Sequence, residues 1–210
     1  MKNVLVVRSS NRAIDEAAAD CVLALVSDGA ALIKQRGSSE VSYARNFALT
    51  SAVRALKHPT SQADVVLMVD DDMVFTPAQA FELTGAAVRI GAPCSACYLL
   101  GNGFPPFERL PSGRFVGGLG MLAIPRSCLL ELAERSHVYR DREGQPMVEF
   151  TWSASDLDAA GDRRWVSEDW RLTERLGGFE LLPIAIGHLK TRALFPPAAT
   201  IAALLEKKES

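Results

Sequence analysis

The chain has 210 residues, of which 48% are hydrophobic and 23% charged, and its formal net charge is −2. These values predict one globular domain with a full hydrophobic core. The net charge shows no overall basic excess of the kind that would indicate binding to nucleic acid. A local basic patch is still compatible with this net charge. No apolar run reaches the ~18 residues of a membrane span, and the first apolar run is too short for a signal peptide, so a cytoplasmic protein is expected.

The first hundred residues alternate between apolar runs typical of buried strands and segments with apolar residues at helical spacing. Strands are predicted over residues 3–8, 30–35, 64–70 and 92–100. Helices are predicted over residues 9–26, 39–57 and 77–90. This alternation indicates an α/β wound sheet, mostly parallel, with helices on both faces.

From residue 101 onwards the pattern changes, and Gly and Pro become frequent among short apolar pieces. Loops and antiparallel strands are predicted over residues 101–125. Further helices are predicted over 126–136, 167–178 and within 196–210, and a last strand over 179–190. The polar segment 138–166 is expected to be irregular and to face the substrate.

Four cysteines lie in apolar surroundings, which indicates reduced thiols in a cytosolic protein. Cys94 and Cys97 form a C-x-x-C pair. A zinc site would need a second pair of ligands at a suitable spacing, and a redox site would need a helix after the pair, whereas Tyr98 and Leu99 favour a strand. Core packing is therefore the prediction for these two thiols.

Three adjacent aspartates, Asp70, Asp71 and Asp72, follow the most apolar predicted strand. Such carboxylates repel one another and resist burial unless they are paired or bound to a cation. In wound α/β sheets ligands bind beyond the carboxyl ends of the strands. A hard divalent cation held by Asp70 and Asp72 would remove the repulsion. The alternative is a solvated turn that caps the helix beginning at Pro77.

Five further motifs follow one another around this acidic turn. They are RSSNR, SYARNFAL, FVGGLGMLAIPR, SEDWRLTERLGG and IGHLK. Together with VVLMVDDDMVF, which looks like a D-x-D region, they resemble compact, family 2-like glycosyltransferases of the GT-A fold over roughly residues 3–190. The resemblance implies a single GT-A-like domain over 1–210, with a short antiparallel portion in its C-terminal half. It further implies a nucleotide-binding half (1–100), an acceptor and catalytic half (101–190) and a tail (191–210).

The resemblance implies a site for Mn²⁺ or Mg²⁺ made by Asp70, Asp72 and His188. Asp70 would also touch the ribose or base of the donor, while Asp71 occupies the variable middle position of the motif. A neutral imidazole suits Mn²⁺ better than Mg²⁺. Apart from the resemblance, His188 is equally compatible with a hydrogen-bonded histidine at the end of a strand.

The resemblance places donor contacts in several parts of the chain. They are Arg8, Ser9, Arg45, Asp70, Asp71, Gly118, Lys190 and Arg192. Lys190 and Arg192 would steady the diphosphate leaving group, where charge builds up in the transition state; a solvated basic tail is the alternative. Gly118 permits close approach of the backbone to a ligand, or marks a bulge in a strand. An exposed surface arginine is the alternative for Arg45.

The x-E-D motif implies that Asp169, beside Glu168, is the catalytic base. The base would take the proton of the acceptor hydroxyl as that hydroxyl attacks the anomeric carbon. Alternatively, Ser167, Glu168 and Asp169 only cap a helix and complement its dipole.

The expected activity is transfer of a sugar from a nucleoside diphosphate donor, expected to be UDP-linked, to a hydroxyl. Inversion follows if Asp169 is the base, and a retaining route stays open if Asp169 is only structural. The acceptor would be a glycan, a lipid-linked sugar or a hydroxylated DNA base. One alternative is a nucleotidyltransferase that makes nucleotide sugars, although RSSNRAID lacks the glycine expected after the first strand of such enzymes. Another is a non-catalytic nucleotide-binding domain.

Overall fold

A computed structural model gives the architecture of residues 4–10, 15–36, 40–157, 163–189 and 193–206. Helices and strands are numbered in chain order. The helices are α1 (Glu16–Ser27), α2 (Val41–Lys57), α3 (Pro77–Ile90), α4 (Arg126–Glu134), α5 (Glu168–Arg175) and α6 (Ala198–Glu206). Within the described ranges, no helix has both the length and the apolar character needed to cross a membrane.

The strands form one large sheet and several small ones. The large sheet contains β1 (Val4–Ser10), β2 (Ala31–Arg36), β3 (Val65–Val69), β5 (Cys94–Cys97), β8 (Met121–Pro125) and β13 (Glu180–Ala185). The small sheets contain β4 (Met73–Val74), β6 (Phe107–Arg109), β7 (Phe115–Gly117), β9 (Val138–Arg140), β10 (Pro146–Val148), β11 (Ala154–Leu157), β12 (Arg163–Val166), β14 (Gly187–Leu189) and β15 (Ala193–Leu194).

The large sheet has the order β13-β5-β8-β3-β1-β2. β1 runs parallel to both β2 and β3, and β13 runs parallel to β5. β8 lies between β3 and β5 and is antiparallel to both of them. The predicted α/β class with a mostly parallel sheet is therefore confirmed, and the short antiparallel sheets lie largely in the second half of the chain, as expected.

Helices cover both faces of the sheet, which explains the continuous apolar run of β3. Alternate residues of this strand belong to different cores: Val66 and Met68 pack on one face, Val65 and Leu67 on the other. The first face packs against apolar residues of α2, α4 and α5. The second packs against α1 and α3. A strand buried on both faces has no polar positions until it ends at Asp70.

The ends of α3 match the prediction because local signals define them. Thr76 and Gln79 form a capping box, and Pro77 occupies the first helical position. Gly91 ends the helix in the left-handed conformation, with φ of 72°. The C-x-x-C pair also packs as predicted, since Cys94 and Cys97 are free, fully buried residues of β5. Burial raises the pKa of Cys94 to about 12 and that of Cys97 to about 11.

The segment predicted to be irregular contains two hairpins instead. β9 pairs with β10, and β11 pairs with β12. The turn of the first hairpin is fixed by Asp141, whose carboxylate accepts hydrogen bonds from the backbone N–H groups of Glu143 (2.9 Å) and Gln145 (2.8 Å). Strands of only three or four residues are too short to show an apolar alternation that could be recognised from sequence.

The predicted last strand is also two strands. β13 belongs to the large sheet, and its pairing with β5 shifts register between Leu182 and Ala185. The chain then leaves this sheet, and β14 pairs with β4 and β15. Pro183 lies within the shift, where its ring nitrogen cannot donate a ladder hydrogen bond. The break places His188 opposite Met73, next to the acidic turn.

Candidate active site

The acidic turn lies at the carboxyl end of β3, where ligands bind in folds of this class. The backbone N–H of Asp70 donates to the carbonyl of Gly120 (3.0 Å), which attaches the turn to the segment between β7 and β8. Arg8, at the corresponding end of β1, pairs in register with Val69 and is buried. The backbone of the turn is therefore fixed, and Arg8 lies on the neighbouring strand, opposite the last residue of β3.

Arg45 contacts carboxylates from two distant parts of the chain. It lies in α2, and its side chain is only 4% exposed. Its Nη2 donates to both carboxylate oxygens of Asp70 (3.3 Å each), and its Nη1 donates to Oε1 of Glu168 (3.3 Å). The same Nη1 contacts the carboxylate of Asp169. Arg45 is thus a buried guanidinium that links the acidic turn to the x-E-D motif, not an exposed surface arginine.

Among the residues that the structure describes, Arg45 contacts three carboxylates, so its single positive charge is shared between them. Burial raises the pKa of Asp70, Arg45 opposes that rise, and the neighbouring Asp72 adds to it. A site of this kind attracts further positive charge.

The beginning of α5 positions Glu168 and Asp169. Ser167 caps the helix by accepting a hydrogen bond from the N–H of Trp170, and both acids lie in the first turn, where the helix dipole favours anions. Oδ2 of Asp169 accepts from the N–H of Leu119 (3.3 Å), and Oε2 of Glu168 accepts from the hydroxyl of Ser153 (2.9 Å). The capping interpretation is therefore correct for Ser167, while the two acids also face Arg45.

Asp72 and His188 form the second polar pair of the site. Nε2 of His188 lies 3.0 Å from Oδ2 of Asp72, and Nδ1 lies 3.1 Å from the carbonyl oxygen of Leu99. A carbonyl can only accept, so Nδ1 carries a proton, and in the neutral ring Nε2 then directs a lone pair at a carboxylate oxygen. Only a proton or a cation makes that contact favourable.

The donor chemistry of this pair fits a divalent cation. A carboxylate oxygen and an imidazole nitrogen are both accepted as ligands by divalent cations, and Nε2 and Oδ2 lie close enough, at 3.0 Å, to contact the same ion. In the described ranges, however, no three His, Cys, Asp or Glu side chains are grouped as metal ligands. The structure thus brings Asp72 and His188 together, while Asp70 contacts Arg45.

The remaining predicted donor contacts have diverse surroundings. Gly118 packs closely against protein atoms. A Cβ added at this position would lie 2.2 Å from Oη of Tyr98 and 2.8 Å from a ring carbon of Pro106. Asp71 is half-buried in the middle of the turn. Ser9 is part of β1, but its side chain is outside the described part of the structure, as are Lys190 and Arg192 in full.

Tyr98 is a site residue that the sequence did not reveal. Its hydroxyl accepts a hydrogen bond from the N–H of Gly120 (3.0 Å), and its ring centroid lies 5.7 Å from that of His188. Burial raises the pKa of Tyr98, so the phenol remains neutral and supports the histidine ring. The C-x-x-C pair before Tyr98 does not indicate this role, and the pairing of distant strands around β5 brings the residue to the site.

No family model matches the chain, and no curated protein matches it significantly. Among solved structures, the fold is similar to that of A197 from STIV, at 16% identity and a TM-score of 0.55 over 93% of this chain and 94% of that one. This similarity shows a shared fold.

Two enzymes have more distant similarity. One is the 4-diphosphocytidyl-2C-methyl-D-erythritol synthase of Anaerococcus prevotii, at 11% identity and a TM-score of 0.44 over 97% of both chains. The other is a glycosyltransferase involved in glycosylation of the major capsid of PBCV-1, at 12% identity and a TM-score of 0.39 over 62% of both chains. Both similarities are too weak for an activity to be assigned from them.

Proposed function

We propose that this chain is a metal-dependent glycosyltransferase that moves a sugar from a nucleoside diphosphate sugar to an acceptor hydroxyl. The proposed donor is a UDP-linked sugar. One observation carries the proposal: Arg45 joins Asp70 to the Glu168–Asp169 pair at the carboxyl end of the sheet, with Asp72 and His188 alongside. Motifs that resemble those of GT-A glycosyltransferases thus meet in one place although they are far apart in sequence.

Asp72 and His188 would hold Mn²⁺ or Mg²⁺, and such an ion neutralises charge on a departing diphosphate. Arg8, Lys190 and Arg192 are the proposed cationic contacts of the donor. Asp71 and Ser9 remain proposed donor contacts beside them.

Asp169 would act as the base. Its oxygens keep lone pairs beyond those used by Arg45 and the N–H of Leu119, so one of them can accept the proton of the acceptor hydroxyl. As that proton moves, the hydroxyl oxygen forms a bond to the anomeric carbon, and the bond from this carbon to the diphosphate oxygen breaks. The electron pair leaves with the diphosphate, and a single displacement of this kind inverts the anomeric centre. Arg45 would orient the carboxylate of Asp169.

The binding experiment is thermal unfolding in the presence of UDP, GDP, CDP or ADP, with Mn²⁺ and then with EDTA. A ligand that binds only the folded state raises the Tm by mass action. We expect a metal-dependent shift with one nucleotide, lost in Asp72→Asn and retained in Asp20→Asn, an exposed position on α1. No shift with any nucleotide, and no difference between the two variants, would refute the metal site.

The activity experiment measures nucleoside diphosphate release from UDP-sugars. Asp169→Asn should keep the nucleotide-dependent Tm shift and lower turnover by a factor of about 10²–10⁴. A nucleotidyltransferase would instead consume nucleoside triphosphate and release pyrophosphate. A non-catalytic binding domain would show the Tm shift with no turnover above the Asp169→Asn background.

A further inference from the structure

A cavity of about 320 Å³ lies beside the candidate active site, between the beginning of α2 and the β9–β10 hairpin. This volume is at the lower end of the range of small-ligand pockets, about 300–1,000 Å³. The side chains of Tyr43, Tyr139 and Trp152 contribute aromatic surface to its wall. None of these three residues has a role in the transfer chemistry proposed above.

Hydrogen bonds connect the wall of the cavity to the segment that carries Glu168 and Asp169. Asn46, which follows Arg45 in α2, donates to the carbonyl of Thr151 (2.9 Å), and both residues line the cavity. The hydroxyl of Thr151 in turn donates to the backbone carbonyl of Glu168. Two hydrogen bonds therefore lead from the cavity wall to Glu168, the residue before Asp169.

Trp152 is held in place while part of it stays exposed. The guanidinium groups of Arg171 and Arg175 lie 5.5 Å and 5.3 Å from its ring centroid, yet 37% of the residue remains accessible. A large aromatic side chain at this exposure is not covered by the core, and the two cations restrict its movement. An ordered, accessible ring is a suitable platform for stacking a flat, partly apolar ligand.

The charges of the wall are mixed. The charged lining residues are Glu40, Asp141, Glu149, Arg140 and Arg142. With more carboxylates than guanidinium groups, this wall does not favour a polyanion, which requires a positive surface. Carboxylates, amides and tyrosine hydroxyls close to aromatic rings match a neutral ligand rich in hydroxyl groups, because they supply both acceptors and donors.

We propose that this cavity is the acceptor site and that its ligand is a neutral oligosaccharide rather than DNA or a phosphorylated sugar. The assignment as an acceptor site rests on the proposed transferase function. The sugar ring would stack on Tyr139 or Trp152 and direct a hydroxyl toward Asp169, while Asp141 and Glu149 accept hydrogen bonds from other hydroxyls.

The test follows the indole N–H resonances in two-dimensional ¹⁵N–¹H spectra of the full chain. The chain has three tryptophans, and Trp152→Phe identifies the resonance of the cavity. The probes are cellobiose, maltose and lactose, then glucose 1-phosphate and a short DNA duplex that carries 5-hydroxymethylcytosine. We expect the Trp152 resonance to move with at least one neutral disaccharide and not with the last two probes.

Two cavity variants and one control complete the test. Tyr139→Ala and Tyr43→Ala should each weaken disaccharide affinity about fivefold or more, while Phe104→Ala, at an exposed aromatic outside the cavity, should not. The thermal unfolding curve shows whether each variant is folded. The proposal is overturned if no disaccharide moves the Trp152 resonance, if only the DNA or the phosphorylated sugar does, or if both cavity variants bind like wild type.

The nucleotide-dependent Tm shift separates this proposal from the proposed function. Disaccharide binding at Trp152 without any nucleotide shift or turnover would leave a sugar-binding site and refute the transferase. A nucleotide shift with turnover, but no disaccharide at Trp152, would leave the transferase and refute this cavity as its neutral-sugar acceptor site.

Discussion

Replacement of Arg45 by methionine provides the sharpest test of the carboxylate cluster. The variant leaves Asp70, Glu168 and Asp169 without their shared cation, and breaking a buried ion pair in this way costs about 3–5 kcal/mol. The three carboxylate side chains are 30%, 20% and 23% exposed, so water can partly solvate them. We therefore expect the lower end of that range, about 3 kcal/mol. For a chain of this length the Tm should fall by about 6–12 °C.

The assay is urea unfolding, with the free energy of unfolding obtained by linear extrapolation. The matched control is Arg54→Met on the same helix, because Arg54 is exposed and donates one hydrogen bond to the carbonyl of Pro146 (2.6 Å). That variant should lose at most about 1 kcal/mol. In the Asp169→Asn background, Arg45→Met should cost less, since one uncompensated charge is already gone. Equal losses for both arginine variants, or strict additivity with Asp169→Asn, would contradict the shared-cation reasoning.

Three further variants or treatments test the supporting structure. Asn46→Ala removes three hydrogen bonds to the backbone before β11, so the free energy of unfolding from urea titration should fall by about 2–4 kcal/mol; an unchanged value would contradict this. Thr173→Val leaves the buried N–H of Gly117 without its acceptor (3.1 Å) and should cost about 1–3 kcal/mol by the same titration, whereas a neutral effect would show that another acceptor replaces it. With pKa values of about 12 and about 11, roughly one in a thousand or fewer of the Cys94 and Cys97 thiols is ionised at pH 8. Peptide mapping should therefore find them alkylated by iodoacetamide only after unfolding, and rapid labelling of the native protein would contradict their burial.

The elements that the sequence predicts well are those with local determinants. α3 has a capping box at one end and Gly91 at the other, and β3 is a continuous apolar run that ends in charged residues. The position of β8 between β3 and β5 has no such local cause, because it depends on which strands pair across the whole chain. The hairpins within residues 138–166 are not predicted, because strands of three or four residues show too little of the alternating pattern.

In the candidate site, too, the sequence predicts features with local causes but not those that depend on distant contacts. The acidic turn and the Glu168–Asp169 pair are visible in the sequence as unusual groups of acids. That Arg45 joins them is not visible, because its partners lie 25 and 123 residues away in the chain. The pairing of His188 with Asp72 depends on the break between β13 and β14. The apolar pattern of residues 179–190 is uninterrupted and therefore predicts one strand without a break. Sequence therefore identifies the reactive groups, and tertiary structure decides their partners.

The antiparallel insertion of β8 has a consequence for synthesis on the ribosome. When the first hundred residues have emerged, β1, β2 and β3 can already pair, but β5 has no neighbour, since both its partners lie later in the chain. Until residues 121–125 arrive, the fully buried strands β3 and β5 each present an open apolar edge of the kind that promotes aggregation. Insertion of β8 covers the open edge of β3 and one edge of β5 in one step, and so joins β5 to the sheet of β1, β2 and β3. The other edge of β5 is covered only when β13 arrives. A nascent chain stalled before this strand would be a natural client for chaperones that bind exposed β-edges.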